Sequence, residues 1–329
     1  MAGGFLRRSS LIFPVVLAAT ASVFCVRSGF FSFFFLLPLG LIAFWGEAKT
    51  AWGAGILAAA INIIVSLWFY MYGNEDPVFV RWNALYFCVA VLVFTWINAP
   101  LGSFWAGLDS TYRLAAGAVC CLLFLAPLFL YIIDNPQLRV FIASQIEALG
   151  NLPVSEASGV HTADDVLLTV VYLGLRGGLL ISGMVFLWVN RQLSALLFRL
   201  VRRIKGRAEP VSAGNFLSFR VKPLFIWLLS FALGAILLGK SVETELVEIA
   251  GWNVLVLCAI LFLVQGGAVM LYFFARLPPL LRILGNLGII FLLFRPGINT
   301  AILVLLVFLG IAENWVSFRM PKEEHRSLR

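Results

Sequence analysis

Charged residues are scarce in this chain. Only 12% of its 329 residues are Asp, Glu, Lys or Arg, while 62% are hydrophobic. A soluble domain is about a quarter charged and about half apolar, so the composition excludes an ordinary soluble protein. Apolar runs of about 20 residues recur, and they lack the polar–apolar alternation of outer-membrane strands. The sequence therefore predicts an all-α, polytopic transmembrane bundle.

Residues that bind metals or perform catalysis are also scarce. The chain has two histidines and five cysteines, without the spacing of a metal site, and the cysteines lie in apolar runs that favour simple packing. There is no phosphate-binding loop, no H-E-x-x-H and no G-x-S-x-G. We find no acidic residue deep in a predicted span, as an intramembrane aspartyl protease needs. The sequence predicts a non-enzyme without metal or cofactor.

The apolar residues form ten segments, of which 11–26, 29–46 and 279–295 are short for a bilayer core about 30 Å thick. We predict eight to ten spans. The segment "FRPGIN" (294–299) forces a break between the last two, because proline cannot continue a helix. The segments are 11–26, 29–46, 51–72, 83–106, 113–133, 165–189, 223–239, 247–275, 279–295 and 299–316.

The loop charges predict the orientation. Segment 190–222 has eight basic residues against Glu209 alone, whereas segment 134–165 has five acidic residues against Arg139. Basic loops stay in the cytoplasm, so both termini are expected inside, in a bacterial inner membrane. Topology also explains the net charge of +8 without a nucleic-acid partner. The predicted parts are an N-terminal half (1–133), an external loop (134–164), a second membrane half (165–320) and a tail (321–329).

Two loop segments have amphipathic patterns. Residues 135–150 predict an external helix that begins at Asn135-Pro136 and stops at Gly150. The stretch "RQLSALLFRLVRRIKGR" repeats apolar residues with helical spacing from Leu193 to Ile204 and is arginine-rich on its other face. That face either binds anionic lipids or docks a partner protein. Its basic residues are Arg199, Arg202, Arg203 and Lys205.

One arginine stands alone inside a predicted span. Arg176 lies in "YLGLRGGLLISG", near the middle of segment 165–189. A central charge costs roughly 3 kcal/mol on insertion scales. Arg176 either locks the bundle through buried hydrogen bonds or neutralises an anionic ligand. The glycines around it predict close helix approach and a locally loosened helix; they are Gly174, Gly177, Gly178 and Gly183.

Polar amides are the other candidate ligand contacts. In membrane helices such residues more often hold helices together than bind ligands. Gln265 stands out because it precedes two glycines, and with Asn253 and Asn286 it is predicted to line the wall of a site around Arg176. The amides in the apolar segments are Asn62, Asn98, Asn253, Gln265 and Asn286.

Several motifs in the second half resemble a known family. "FLSFRVKPLFIWLLS" (216–230), Asn253, "LFLVQGGAVMLYF" (261–273) and "GIAENWVSFR" (310–319) together resemble the YybS-like bacterial integral membrane proteins, a domain of unknown function. An Asp is common in that family where Glu313 stands here.

That family is distantly similar to the substrate-binding S components of energy-coupling-factor transporters and to the shape-determining MreD proteins. The first similarity implies solute binding, with energy from a separate ABC-type ATPase module. The second implies a scaffold for cell-envelope proteins that works through the basic loop. S components use small-xxx-small faces to dock on their coupling subunit, and Ala51, Gly55 and Ala59 form such a face.

Overall fold

The computed structural model is helical throughout its described part. It describes residues 3–28, 32–45, 47–72, 77–100, 107–136, 139–140, 163–204, 219–293, 295, 298–316 and 318–319. The chain divides into two compact units, Met1–Val211 and Ser212–Arg329.

Unit 1 contains seven helices among its described residues. They are α1 (Gly3–Arg27), α2 (Leu37–Trp45), α3 (Ala48–Tyr72), α4 (Pro77–Asn98), α5 (Ser110–Asp134), α6 (Ala163–Leu173) and α7 (Leu179–Ile204). The core of this unit combines alanines of α1 and α3 with a set of fully buried aromatic rings, among which Phe35 stacks on Phe87 at 5.0 Å between ring centroids.

The second predicted segment is broken rather than continuous. A 3₁₀ turn, Ser32–Phe34, precedes the nine-residue α2. Such turns leave carbonyl groups without helical partners, which is tolerated in a membrane protein only where other protein groups satisfy them. Here three buried side chains donate to these carbonyls: Ser22 Oγ to Phe35 O (2.6 Å), Asn190 Nδ2 to Phe33 O (3.0 Å) and Ser194 Oγ to Leu37 O (3.2 Å).

The small-residue face of α3 is already occupied. Ala51, Gly55 and Ala59 are buried, and a Cβ on Gly55 would lie 2.6 Å from Thr95 Oγ1 of α4. The indole of Trp52 also donates to Ala99 O at 2.9 Å. This face joins α3 to α4 inside unit 1, and docking of the protein on a coupling subunit stays a prediction.

The cytoplasmic amphipathic segment is not a separate helix. Val166–Ile204 forms one 39-residue apolar helical stretch, interrupted only by a wide turn at Gly174–Gly178. Its packed face beyond Leu187 consists of Asn190, Ser194, Ala195 and Phe198, whereas three residues of the predicted apolar face are exposed: Leu196 (59%), Leu200 (51%) and Ile204 (77%). Unit 1 therefore contacts the polar and small face of α7 and leaves its leucine face outside.

Unit 2 contains four helices among its described residues: α8 (Leu224–Ser241), α9 (Glu245–Ala275), α10 (Pro279–Leu293) and α11 (Ile298–Ala312). The predicted break at "FRPGIN" is confirmed between α10 and α11. Close backbone contact joins α9 to α11, because a Cβ on Gly266 would lie 1.9 Å from Leu306 O and a Cβ on Gly310 would lie 2.0 Å from Phe262 O.

Six described helical stretches have the length and apolar composition to cross a membrane. The polytopic helical fold is thus confirmed. Four predicted segments correspond instead to α1, the broken α2, α10 and α11; α10 and α11 have 15 residues each, or about 22 Å, less than a bilayer core. Most of the predicted external helix, Lys205 and the tail beyond Arg319 lie outside the described residues. The six stretches are Ala48–Tyr72, Val80–Asn98, Ser110–Asp134, Val166–Ile204, Leu224–Ser241 and Glu245–Ala275.

Candidate functional site

Arg176 lies in a π-helical turn that interrupts the long helix of unit 1. The turn spans Gly174–Gly178, and within it Arg176 (φ −81°, ψ 22°) and Gly177 (φ 125°, ψ −16°) leave helical geometry. L-residues rarely adopt a φ of 125°, so glycine is required at position 177. The prediction that the glycine pair loosens the helix is confirmed. Single π-turns inside α-helices occur frequently at functional sites.

The side chain of Arg176 is exposed rather than buried. Its guanidinium carbon lies 5.8 Å from the centre of the Tyr172 ring, and exposed apolar residues Val170 and Leu173 flank it. At this distance the cation interacts with the face of the ring, and the five N–H donors of a guanidinium allow further hydrogen bonds. The interpretation of Arg176 as a buried lock of unit 1 does not fit this exposure.

Gln265 forms a hydrogen-bonded link within unit 2. It is 1% exposed, its Oε1 accepts from Val221 N at 2.6 Å, and its Nε2 donates to Gly310 O at 3.0 Å. The amide thereby ties α9 to α11 and to the extended segment before α8. Both of its polar atoms are engaged with backbone groups.

The other predicted wall residues also lie in unit 2. Asn253 is half-buried on α9, twelve residues or about 18 Å along the helix from Gln265, and its Nδ2 donates to Ile249 O at 2.9 Å. Asn286 lies in α10, and its side chain is outside the described part of the structure. Arg176 belongs to unit 1 and the three amides to unit 2. That these four residues form one ligand site stays a prediction.

A buried ion pair lies beside the Gln265 link. Arg319 Nε and Nη2 donate to the two carboxylate oxygens of Glu313 at 2.5 and 2.6 Å, with the side chains 6% and 1% exposed. Arg319 Nη2 also donates to Phe219 O at 2.8 Å. The sequence places Glu313 near the end of a predicted span and does not by itself indicate this pair. An isolated acidic residue six positions before an arginine is a sequence feature that could have suggested it.

The basic face of α7 is accessible. Arg199 and Arg203 are exposed, and Arg202 is half-buried with its guanidinium 5.3 Å from the centre of the Phe198 ring. Exposed Leu196 and Leu200 lie on the same side of this helix, within one turn of Arg199 and Arg203. This arrangement of cations and apolar side chains suits a membrane surface or a partner.

Two arginines missed by the sequence analysis converge at one end of unit 1. Arg191 of α7 donates from Nε to Asn98 Oδ1 of α4 at 3.2 Å. Arg113, in the first turn of α5, lies close enough for its charge to act on Arg191. Arg113 lies in the first turn of α5 and Arg191 in the middle of α7. The sequence groups Arg191 with the other basic residues of segment 190–222, so it did not single either arginine out.

At the opposite end of unit 1, an arginine of α1 contacts α3 beside a mainly apolar cleft. Arg27 Nη2 donates to Ser66 Oγ at 2.7 Å, and its guanidinium lies 4.8 Å from the Phe69 ring centre. Next to Ser66, an open cleft of about 200 Å³ lies between α3 and α4. Its walls are mainly apolar, with Tyr70 and Arg81 at its edge.

Residues 170–312 match the model of a family described as "Predicted membrane protein (DUF2232)". The matched range lies within segment 165–320, which holds the family-like motifs, and it includes the Arg176 turn, α7 and the Gln265 link. No curated protein and no solved structure matches the chain. The protein is therefore a multi-pass membrane protein whose second part is similar to a family of membrane proteins.

Proposed function

We propose that this protein binds a small anionic solute in a bacterial inner membrane and takes part in its transport without an ATPase of its own. The resemblance to YybS-like proteins and S components belongs to this proposal. The observation that carries it is the position of Arg176, at a glycine-enforced π-turn within a 39-residue apolar helical stretch.

The energetics favour a role for this arginine beyond packing. A cation at membrane depth is tolerated only where surrounding groups satisfy it, and a β-carbon at position 177 would oppose the backbone that presents Arg176. An anionic group of a ligand provides both charge compensation and acceptors for the guanidinium fork. Broken helices with polar backbone at membrane depth are also typical of transporter binding sites, and the turn before α2 is a second such break.

The test is purification of the full chain from its native host in mild detergent, followed by mass spectrometry of bound small molecules. We expect a bound anion in the natural protein, its loss in Arg176→Gln, and partial retention in Arg176→Lys. Arg199→Gln is the matched control, because it removes an exposed arginine from the same helical stretch. An Arg176→Gln protein that stays folded and keeps the anion contradicts the proposal.

A second candidate function is a membrane scaffold resembling MreD, supported by the accessible basic face of α7. Under this alternative, Glu substitutions at Arg199, Arg202 and Arg203 remove co-purifying cell-envelope proteins, whereas Arg176→Gln has no effect on them. Co-purification of an ABC-type ATPase pair supports the transport proposal instead. Flotation with vesicles that contain or lack anionic lipid separates a lipid-binding role of this face from a protein-docking role.

A further inference from the structure

Three helices of unit 1 bring donors together at one end. Asn98 is the last residue of α4, Arg113 lies in the first turn of α5, and Arg191 lies on α7. The amide of Asn98 is oriented, because its Nδ2 donates to Phe94 O at 2.9 Å and its Oδ1 accepts from Arg191 Nε at 3.2 Å. The geometry of this end is therefore set by hydrogen bonds within unit 1.

The charges at this end are not balanced. Arg113 and Arg191 repel each other, and neither forms an ion pair with a carboxylate of the described residues. The acid that acts on Arg113 is Asp109, which is itself exposed. Two like charges held together in a half-buried site are unfavourable unless an anion lies between them.

Donors also remain unsatisfied there. Arg113 Nε is buried and has no hydrogen-bond partner among the described residues. Asp109 precedes α5 but its side chain makes no capping hydrogen bond, so the positive end of that helix adds to the field of the two arginines. Leaving a buried charged donor unpaired costs more than a typical hydrogen bond gains.

We infer that Asn98, Arg113 and Arg191 form an anion site that binds phosphate or carboxylate oxygens. Arginine forks match such groups through paired hydrogen bonds. The site is separate from Arg176, which lies fifteen residues away along the helix, or about 20 Å. Its ligand is either the head group of an anionic phospholipid or a soluble phosphate-like anion, and it does not depend on the solute proposed for Arg176.

The experiment measures thermal unfolding of the full-length protein in two arms. In neutral detergent, inorganic phosphate replaces chloride at constant ionic strength; in nanodiscs, phosphatidylglycerol replaces phosphatidylcholine. A stabilising response to phosphate identifies a soluble anion as ligand, and a response confined to phosphatidylglycerol identifies a lipid. Absence of a response in both arms overturns the inference.

Variants show whether a response arises at this site. Arg113→Gln and Arg191→Gln should each weaken the apparent anion affinity about tenfold, as expected for loss of roughly 1.4 kcal/mol of binding. Without the anion, Arg113→Gln should be at least as stable as the natural protein, because repulsion is relieved, whereas Arg191→Gln also loses the hydrogen bond to Asn98. Arg276→Gln, which removes an exposed arginine of unit 2, is the control that keeps the response. A response lost in Arg176→Gln but kept in the Arg113 and Arg191 variants belongs to the Arg176 proposal, so failures of the two sites are distinguishable.

A substitution that introduces a carboxylate gives a second test, which does not depend on the glutamine variants being folded. Asn98→Asp places a carboxylate beside Arg191, where it takes the place of the ligand. We expect this variant to unfold at a higher temperature without anion and to respond little when anion is added. If Asn98→Asp and the glutamine variants respond as the natural protein does, or lose equal stability with and without anion, Arg113 and Arg191 are structural and the inference fails.

Discussion

Two fully buried asparagines of unit 1 differ in their hydrogen bonding. Asn190 donates to Phe33 O and Phe186 O, both at 3.0 Å, whereas both amide atoms of Asn62 lack a partner among the described residues. An unsatisfied buried amide costs about 1–3 kcal/mol. We therefore expect Asn62→Leu, which conserves volume and removes the amide, to raise the midpoint of thermal unfolding in detergent.

Asn190→Leu is the matched comparison for Asn62→Leu. It exposes two carbonyls to an apolar environment and should lower stability by about 1–3 kcal/mol. If Asn62→Leu destabilises the protein to the same extent, the amide of Asn62 has a partner such as an internal water.

At the residue scale, the sequence indicated a role for an isolated charged residue but not for charged residues near other basic residues. Arg176 was evident because no other charge is near it in its span. Arg113, Arg191 and Arg319 were counted only as parts of basic ends. Their role depends on which segments pack together in the folded protein, and the sequence does not show this.

At the scale of the helices, the π-helical turn between α6 and α7 can be tested by substitution of Gly177. Gly177→Ala forces a side chain into a φ of 125°, which costs about 1–2 kcal/mol or more. We expect lower thermal stability and loss of any ligand that depends on Arg176. Gly53→Ala is the control, because that helical glycine has open space around it and alanine should stabilise the helix by about 0.5–1 kcal/mol.

If Gly177→Ala and Gly53→Ala have the same stability, position 177 does not need a φ of 125° in solution. Hydrogen exchange at Leu179 and its neighbours then distinguishes a straightened helix from a retained π-turn.

The ion pair of unit 2 joins the end of α11 to the segment before α8. Glu313→Gln removes the countercharge of a nearly buried guanidinium, and removal of one partner of such a pair costs about 3–5 kcal/mol. We expect Glu313→Gln to unfold at a much lower temperature. The double substitution Glu313→Leu with Arg319→Met should recover part of the loss. Chemical denaturation of the natural protein, Glu313→Leu, Arg319→Met and the double variant measures the coupling.

Glu313→Asp is a useful control for that cycle, since it keeps the negative charge beside Arg319. A coupling energy near zero contradicts the interpretation of the pair as a structural lock. It would indicate that Gln265 and the glycine contacts of α9 and α11 suffice to hold unit 2.

At the scale of the whole molecule, hydrophobic run length and helix breakers predicted most of the architecture. The boundaries of α3, α5, α9 and α10 fall within a few residues of the predicted segments, and α10 and α11 are separate helices, as predicted. The broken α2 was not predicted, because the three side chains that satisfy its turn come from α1 and α7. The continuation of α7 to Ile204 was also missed, since loop charge was taken to end the helix.

The two ends of unit 1 differ in their basic residues, and this difference predicts which end faces the cytoplasm. Contacts of Trp52 with Ala99 and of Arg191 with Asn98 mark one end, and the contact of Arg27 with Ser66 marks the other. The first end continues into Arg199, Arg202 and Arg203 of α7, so the positive-inside rule places it in the cytoplasm. Single cysteines at Gly107 and Tyr72, both exposed, then report opposite sides.

We expect Tyr72→Cys to react with a membrane-impermeant maleimide in intact cells and Gly107→Cys to react only after permeabilisation, in a background where the five natural cysteines are replaced by alanine. The reverse pattern means that the Arg113–Arg191 site faces outward, and its ligand is then an external anion. Labelling of both positions in intact cells contradicts the assignment of the two ends to opposite sides. The expected pattern makes the anion site and the basic face of α7 neighbours of the same cytoplasmic membrane surface, where anionic lipids and phosphorylated metabolites are both available.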